Sequence, residues 1–123
     1  MYLQTEITAI GPEATEMAEG GIVILFADGA PPELAEVSVL HKTAQEPSDV
    51  EPPIGSSVRF GALQVKITGI GPTAWAKMKS MGHIVFAFNG GDASDRPGEI
   101  CVTEVPLRDL LAQLKAGNKI SVG

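Results

Sequence analysis

Few side chains in this chain suit nucleophilic or metal-binding chemistry near neutral pH. They are His41, His83 and Cys101. His41 closes the run Val37-Ser38-Val39-Leu40-His41, where period-two spacing puts its ring on the same face as Val37 and Val39. If that face is the core, the ring stands at a strand end near a rim, ahead of a segment rich in proline and acid. An imidazole with a pKa of about 6.5 is mostly neutral at pH 7, and holding one nitrogen as a donor leaves the other as a nucleophile. A histidine that caps its strand, or bonds a backbone carbonyl, fits the same pattern. His83 precedes a second apolar run; it would orient His41 or contact an anion if the two strand ends meet, and is otherwise a satisfied strand-end residue. A zinc site is not expected. No two of these three residues lie within the two-to-five-residue separation typical of zinc ligands, and Cys101 sits in an apolar stretch where it reads as a small buried hydrophobe. The glycines form no phosphate-binding loop pattern, and no metal or cofactor is expected.

The elements that must position His41 come from a repeat. Ile7-Thr8-Ala9-Ile10-Gly11-Pro12-Glu13-Ala14 returns as Ile67-Thr68-Gly69-Ile70-Gly71-Pro72-Thr73-Ala74. Gly20-Gly21-Ile22-Val23-Ile24-Leu25-Phe26 then faces Gly82-His83-Ile84-Val85-Phe86-Ala87-Phe88, which aligns His83 with Gly21. Each unit reads as strand, Gly-Pro, short helix, glycine, apolar strand. Neither buries its strands alone, so the two are expected to pack as one pseudo-symmetric domain, 1–123.

Between and after the copies, the pattern predicts further strands. Leu3, Thr5, Ile7 and Ala9 share one face of the first. Val58 and Phe60 are joined to Leu63, Val65 and Ile67 through Gly61-Ala62, a type II′ hairpin signal. Glu99 to Val105 and Lys119 to Val122 are strands, and Leu107, Leu110, Leu111 and Leu114 suggest a short helix ended by Gly117. Trp75, Met78 and Met81 read as the core face of the second repeat's helix. Asn89-Gly90-Gly91-Asp92 and Asp95-Arg96-Pro97-Gly98 are turn signals. Segment 43–56, with Pro47, Pro52 and Pro53, is a long irregular loop of the kind that is often functional or mobile. The expected fold is all-β: a closed or nearly closed β-barrel of seven or eight strands with two or three short helices, built on the internal duplication. The strand–helix–strand units keep a parallel α/β sheet as the alternative.

A formal charge of −6, with no basic stripe, excludes the usual nucleic-acid binder. It suits a soluble surface or steering of a basic protein partner. One cysteine allows no internal disulfide. The N-terminus has no signal-peptide pattern and no apolar run spans a bilayer, so a cytoplasmic protein is expected.

Together these stretches resemble the glucitol/sorbitol-specific enzyme IIA component of the bacterial phosphoenolpyruvate-dependent sugar phosphotransferase system. The likeness is carried by Tyr2 to Gly11, by Phe26-Ala27-Asp28-Gly29-Ala30-Pro31, by Glu36 to His41, by Val65 to Gly71, and by Met81-Gly82-His83 ahead of an apolar strand and Asn89-Gly90. It extends to about Val105. The resemblance implies an all-β barrel and a phosphoryl-accepting histidine at His41. The implied donor is the histidine-containing phosphocarrier protein, and the implied acceptor is a cysteine on the IIB part of the IIB/IIC membrane permease. Phosphoryl transfer runs on positioning and charge stabilisation, so Lys42 or Thr43 would contact the phosphoryl oxygens and His83 would bond them or fix the His41 tautomer. The competing reading is a non-catalytic barrel that binds a regulatory protein or small ligand.

Overall fold

The computed structural model describes residues 1–92 and 96–123. The repeat accounts for six elements: β1 (Leu3–Ile10) and β2 (Ile22–Ala27) flank helix α1 (Ala14–Glu19), and β5 (Leu63–Ile70) and β6 (Ile84–Ala87) flank α3 (Ala74–Met81). Between them lie α2 (Pro32–Ala35), β3 (Val39–Thr43) and β4 (Ser57–Phe60); β7 (Glu99–Val102), α4 (Leu107–Leu111) and β8 (Lys119–Val122) complete the chain. The eight strands close into a barrel in the order β1-β3-β2-β6-β7-β5-β4-β8. Closure leaves no sheet edge to protect. It is a mixed barrel: β2 runs parallel to β3 and β6 parallel to β7, while the other neighbours are antiparallel. The expected barrel is therefore observed, and the parallel α/β sheet is not. Among the described residues there are four short helices, one more than expected, because Pro32 sits in the first turn of α2 with φ preset for it.

The duplication is visible as a pseudo-twofold through the antiparallel β2–β6 pair, where Ile22 faces Ala87 and Leu25 faces Ile84. Both copies bulge at the same place, after Ile7 in β1 and after Ile67 in β5. The bulge corrects one expectation. It shifts the alternation beyond Ile7, so Leu3, Thr5 and Ile7 face the core but Ala9 is exposed. The second half of the repeat also needs re-aligning: Gly21 and Gly82 share the left-handed φ, 79° and 64°, that ends each helix. His83 thus corresponds to Ile22, not to Gly21.

The core lies inside the barrel and under α1 and α3. Phe60 packs edge-on against Phe86 with ring centroids 5.2 Å apart, and Phe88 sits 5.4 Å from Phe60. Gly61 with φ 60° and the pairing of Phe60 with Leu63 make the two-residue hairpin expected. Trp75 and Met78 are buried as the helix pattern required, but Met81 is 43% exposed. It is the last residue of α3, and the turn at Gly82 takes the chain away to β6 before anything covers it. β7 stops at Val102, short of the Val105 expected, and Leu107 is exposed while Leu110 is buried. Asp95, read as a turn residue, lies outside the described residues.

Thr43, expected to open the loop, is instead the last residue of β3; segment 44–56 has no regular structure of its own, yet it is tied down. The Ala44 and Ser48 amides donate to Gln4 O and Tyr2 O, and Gly55 N–H donates to Ile67 O. The Trp75 indole N–H donates to Ser48 O at 2.7 Å, fastening the loop to α3. Trp75→Phe is expected to lose about 1–2 kcal/mol of stability, since it deletes that bond. Hydrogen exchange should quicken in residues 44–56 ahead of the barrel strands, and unchanged protection there would refute this.

Candidate functional site

β3 carries His41 between two neighbours. His41 pairs with Ile7 on β1 and with Ala27 on β2. Its ring turns inward with Val39, as the period of two required. The expectation of a ring near a rim with one nitrogen left unheld is corrected: His41 is 1% exposed and both nitrogens are engaged. Nδ1 lies 2.6 Å from Thr5 Oγ1, and Nε2 lies 2.6 Å from the carbonyl oxygen of Gly82.

The two partners fix the tautomer. A carbonyl oxygen can only accept, so Nε2 carries the proton and donates it to Gly82. Nδ1 is then the acceptor of the Thr5 hydroxyl proton. Burial pushes the His41 pKa below its ordinary value, and the Gly82 bond pulls it part of the way back. The ring is therefore a neutral imidazole at pH 7.

The ring is nonetheless part of a pocket wall. A pocket of about 400 Å³ is lined by His41 and Gly82, with Ala27 and Asp28 on one side and Lys42, Thr43, Glu46 and Pro47 on another. Met78 and Lys79 of α3 complete it. The loop after β3 thus supplies a wall, which gives that segment a place in the site. The ends of the two repeats meet here: Gly82, the residue that closes α3 in the second copy, reaches across to the histidine of the first. The pseudo-twofold is broken at this point. The carbonyl of Gly21 accepts from the Phe88 amide at 2.9 Å, whereas that of Gly82 accepts from the His41 ring.

The pocket has mixed charge. Lys42 and Lys79 bring two cations, Asp28 and Glu46 two carboxylates. Lys79 lies 3.1 Å from Asp49, whose side chain is almost fully exposed, so the pair contributes little to stability and leaves the ammonium available to another anion. Lys79, in the last turn of α3, also offsets the negative end of its dipole.

Of the residues expected from sequence, the structure brings His41, Lys42 and Thr43 to one pocket and leaves His83 out of it. His83 Nδ1 donates to Leu25 O at 3.1 Å, and its ring lies against Phe26 with centroids 5.0 Å apart. Its strand-end, backbone-bonded role was the bland alternative. It is the preceding residue, Gly82, that meets His41. Sequence reasoning missed Thr5, Gly82 and Lys79. Thr5 had a signal, a hydroxyl between Leu3 and Ile7 on an otherwise apolar inward face; the Gly82 carbonyl had none, because any residue has one. Cys101 is fully buried in β7. Among the described residues no group of three His, Cys, Asp or Glu side chains is placed to hold a metal, and no helix is long and apolar enough to cross a membrane.

Comparison with known proteins agrees with this architecture. The barrel superposes on the crystal structure of a PTS system IIA component from Enterococcus faecalis V583 with a TM-score of 0.77, covering 97% of this chain and 98% of that one at 22% identity. Two curated proteins, the PTS glucitol/sorbitol-specific EIIA components of Shigella flexneri and Escherichia coli (strain K12), are 29% and 28% identical over 99 residues, 80% of this chain and 79% of theirs. Residues 2–121 match the family of PTS system glucitol/sorbitol-specific IIA components. The chain belongs to that family, and so is a phosphocarrier component of the phosphotransferase system that serves sugar uptake.

Proposed function

We propose that the protein works in the cytoplasm, takes a phosphoryl group from the histidine-containing phosphocarrier protein onto His41, and passes it to the cysteine of a IIB permease component. The observation that carries this reading is the neutral, doubly held imidazole in the wall of a pocket that also presents Lys42 and Lys79. A neutral ring keeps a nucleophilic lone pair at pH 7, and two held nitrogens fix its aim. Lys42 and Lys79 both line this pocket, which supports charge stabilisation of a loose transition state by cations beside the ring. Thr43 lines the same pocket. Acceptance requires the Gly82 bond to open, because Nε2 is covered in the resting protein.

The test is incubation with phosphoenolpyruvate, enzyme I and the phosphocarrier protein. Wild type is expected to gain one acid-labile phosphate and His41→Ala none. A phosphate that persists on the alanine variant would reject His41. Sugar uptake left intact by His41→Ala would favour the second reading, a non-catalytic barrel that binds a regulatory protein.

A further inference from the structure

We propose that Thr5 is the positioning residue that holds His41 in either tautomer and so leaves Nε2 free to take the phosphoryl group. The inference rests on the reading of His41 as the acceptor. In the resting protein the free lone pair is on Nδ1, but it points at Thr5, which is itself 1% exposed and lies between Leu3 and Ile7 on the inner face of β1. No donor protein can bring phosphorus there. The nitrogen on the pocket side is Nε2, whose partner Gly82 lines the pocket, and Nε2 is the one that holds the proton.

Attack from Nε2 therefore needs that proton to leave. A neutral ring must then carry its proton on Nδ1. Thr5 can serve both states without moving a heavy atom: its hydroxyl donates to Nδ1 at rest, and after rotation it accepts from Nδ1–H. Once the Gly82 bond opens, the ring gives up its Nε2 proton to the pocket and takes one up at Nδ1, so its net protonation is unchanged. The Nε2 lone pair then forms the N–P bond as the N–P bond of the incoming phosphoimidazole breaks, and the departing ring keeps that electron pair. Each ring ends with one proton, so the step balances. Thr5 thereafter holds the phosphorylated ring through Nδ1–H. Valine has the shape of threonine but neither role; serine has both.

The experiment uses the full chain with 15N-labelled histidine and the same phosphorylation mixture. Nitrogen shifts and phosphorus–nitrogen coupling are expected to show the proton on Nε2 before transfer, then phosphorus on Nε2 and the proton on Nδ1. Thr5→Val is expected to slow phosphate acceptance about tenfold or more, and Thr5→Ser to restore it to within a few-fold. Phosphorus on Nδ1, or a folded Thr5→Val chain that accepts phosphate at the wild-type rate, would overturn the role of Thr5 and leave His41 as acceptor. Phosphate absent from wild type, or present on His41→Ala, would instead overturn the acceptor assignment. If Thr5→Val does not fold, the wild-type spectra alone decide the nitrogen and the proton.

Discussion

Gly11→Ala and Gly71→Ala are each expected to cost about 3 kcal/mol or more, a large share of the total in a domain of ordinary stability. A β-carbon at Gly11 would lie 2.1 Å from the carbonyl oxygen of Ala35 and 2.5 Å from that of Glu36. At Gly71 it would lie 2.3 Å from Pro97 O and 2.7 Å from Arg96 O. These obstacles are backbone, which cannot swing aside as a side chain does. Both glycines also donate their amides to the neighbouring segment, Gly11 to Ser38 O at 2.9 Å and Gly71 to Glu99 O at 2.8 Å. An added methyl would break those bonds as it pushed the segments apart. The shared control is Gly117→Ala. Gly117 has φ 91° and nothing within 4 Å of its added carbon, so that change costs only the left-handed conformation, about 1–2 kcal/mol. Denaturant midpoints measure all three. Equal losses at Gly11 and Gly117 would show that close approach is not what Gly11 serves. The contact bears on function, since Gly11 seats the α2–β3 connection from which His41 hangs.

Acidification from pH 7 to pH 5 is expected to destabilise the wild type by more than it destabilises His41→Gln. Burial lowers the folded pKa of His41 below its unfolded value of about 6.5. Between the two values the unfolded chain binds the extra proton and the folded one does not. Stability is therefore full above the unfolded pKa and falls as pH drops towards the folded pKa. The slope from one such group reaches at most about 1.4 kcal/mol per pH unit. Taking the difference between the two proteins removes what they share. That includes Glu13, whose carboxyl is raised by repulsion from Glu36 and changes stability in the opposite sense as pH falls. It also includes Asp28, Lys42, Glu46 and Lys79, which line the pocket beside the ring. The glutamine variant keeps a donor and an acceptor for Gly82 and Thr5 but cannot titrate. Parallel stability curves for the two proteins would mean that His41 is not held neutral by the fold.

The barrel and the address of the histidine were legible in the chain because both depend on local periodicity. Alternation marked the strands, Gly-Pro and Gly-Gly punctuated them, and the repeat required two units to share a core. The same periodicity turned the His41 ring inward with Val39. Alternation says nothing about bulges, which is why Ala9 was placed inside. It says little about helix ends too, which is why Met81 was given a core role.

The amino-acid order by itself determined a duplicated β-barrel with a histidine on the inner face of its third strand, since side-chain direction in a strand follows from counting by two. Tertiary structure alone decided what the ring touches. Thr5 is 36 residues from His41 and Gly82 is 41. Both meet it only because the barrel closes β1 against β3 and the pseudo-twofold brings the end of α3 over β2. A tautomer set by a distant hydroxyl and a backbone carbonyl leaves no trace in sequence, because one partner is a common residue and the other is an atom every residue has.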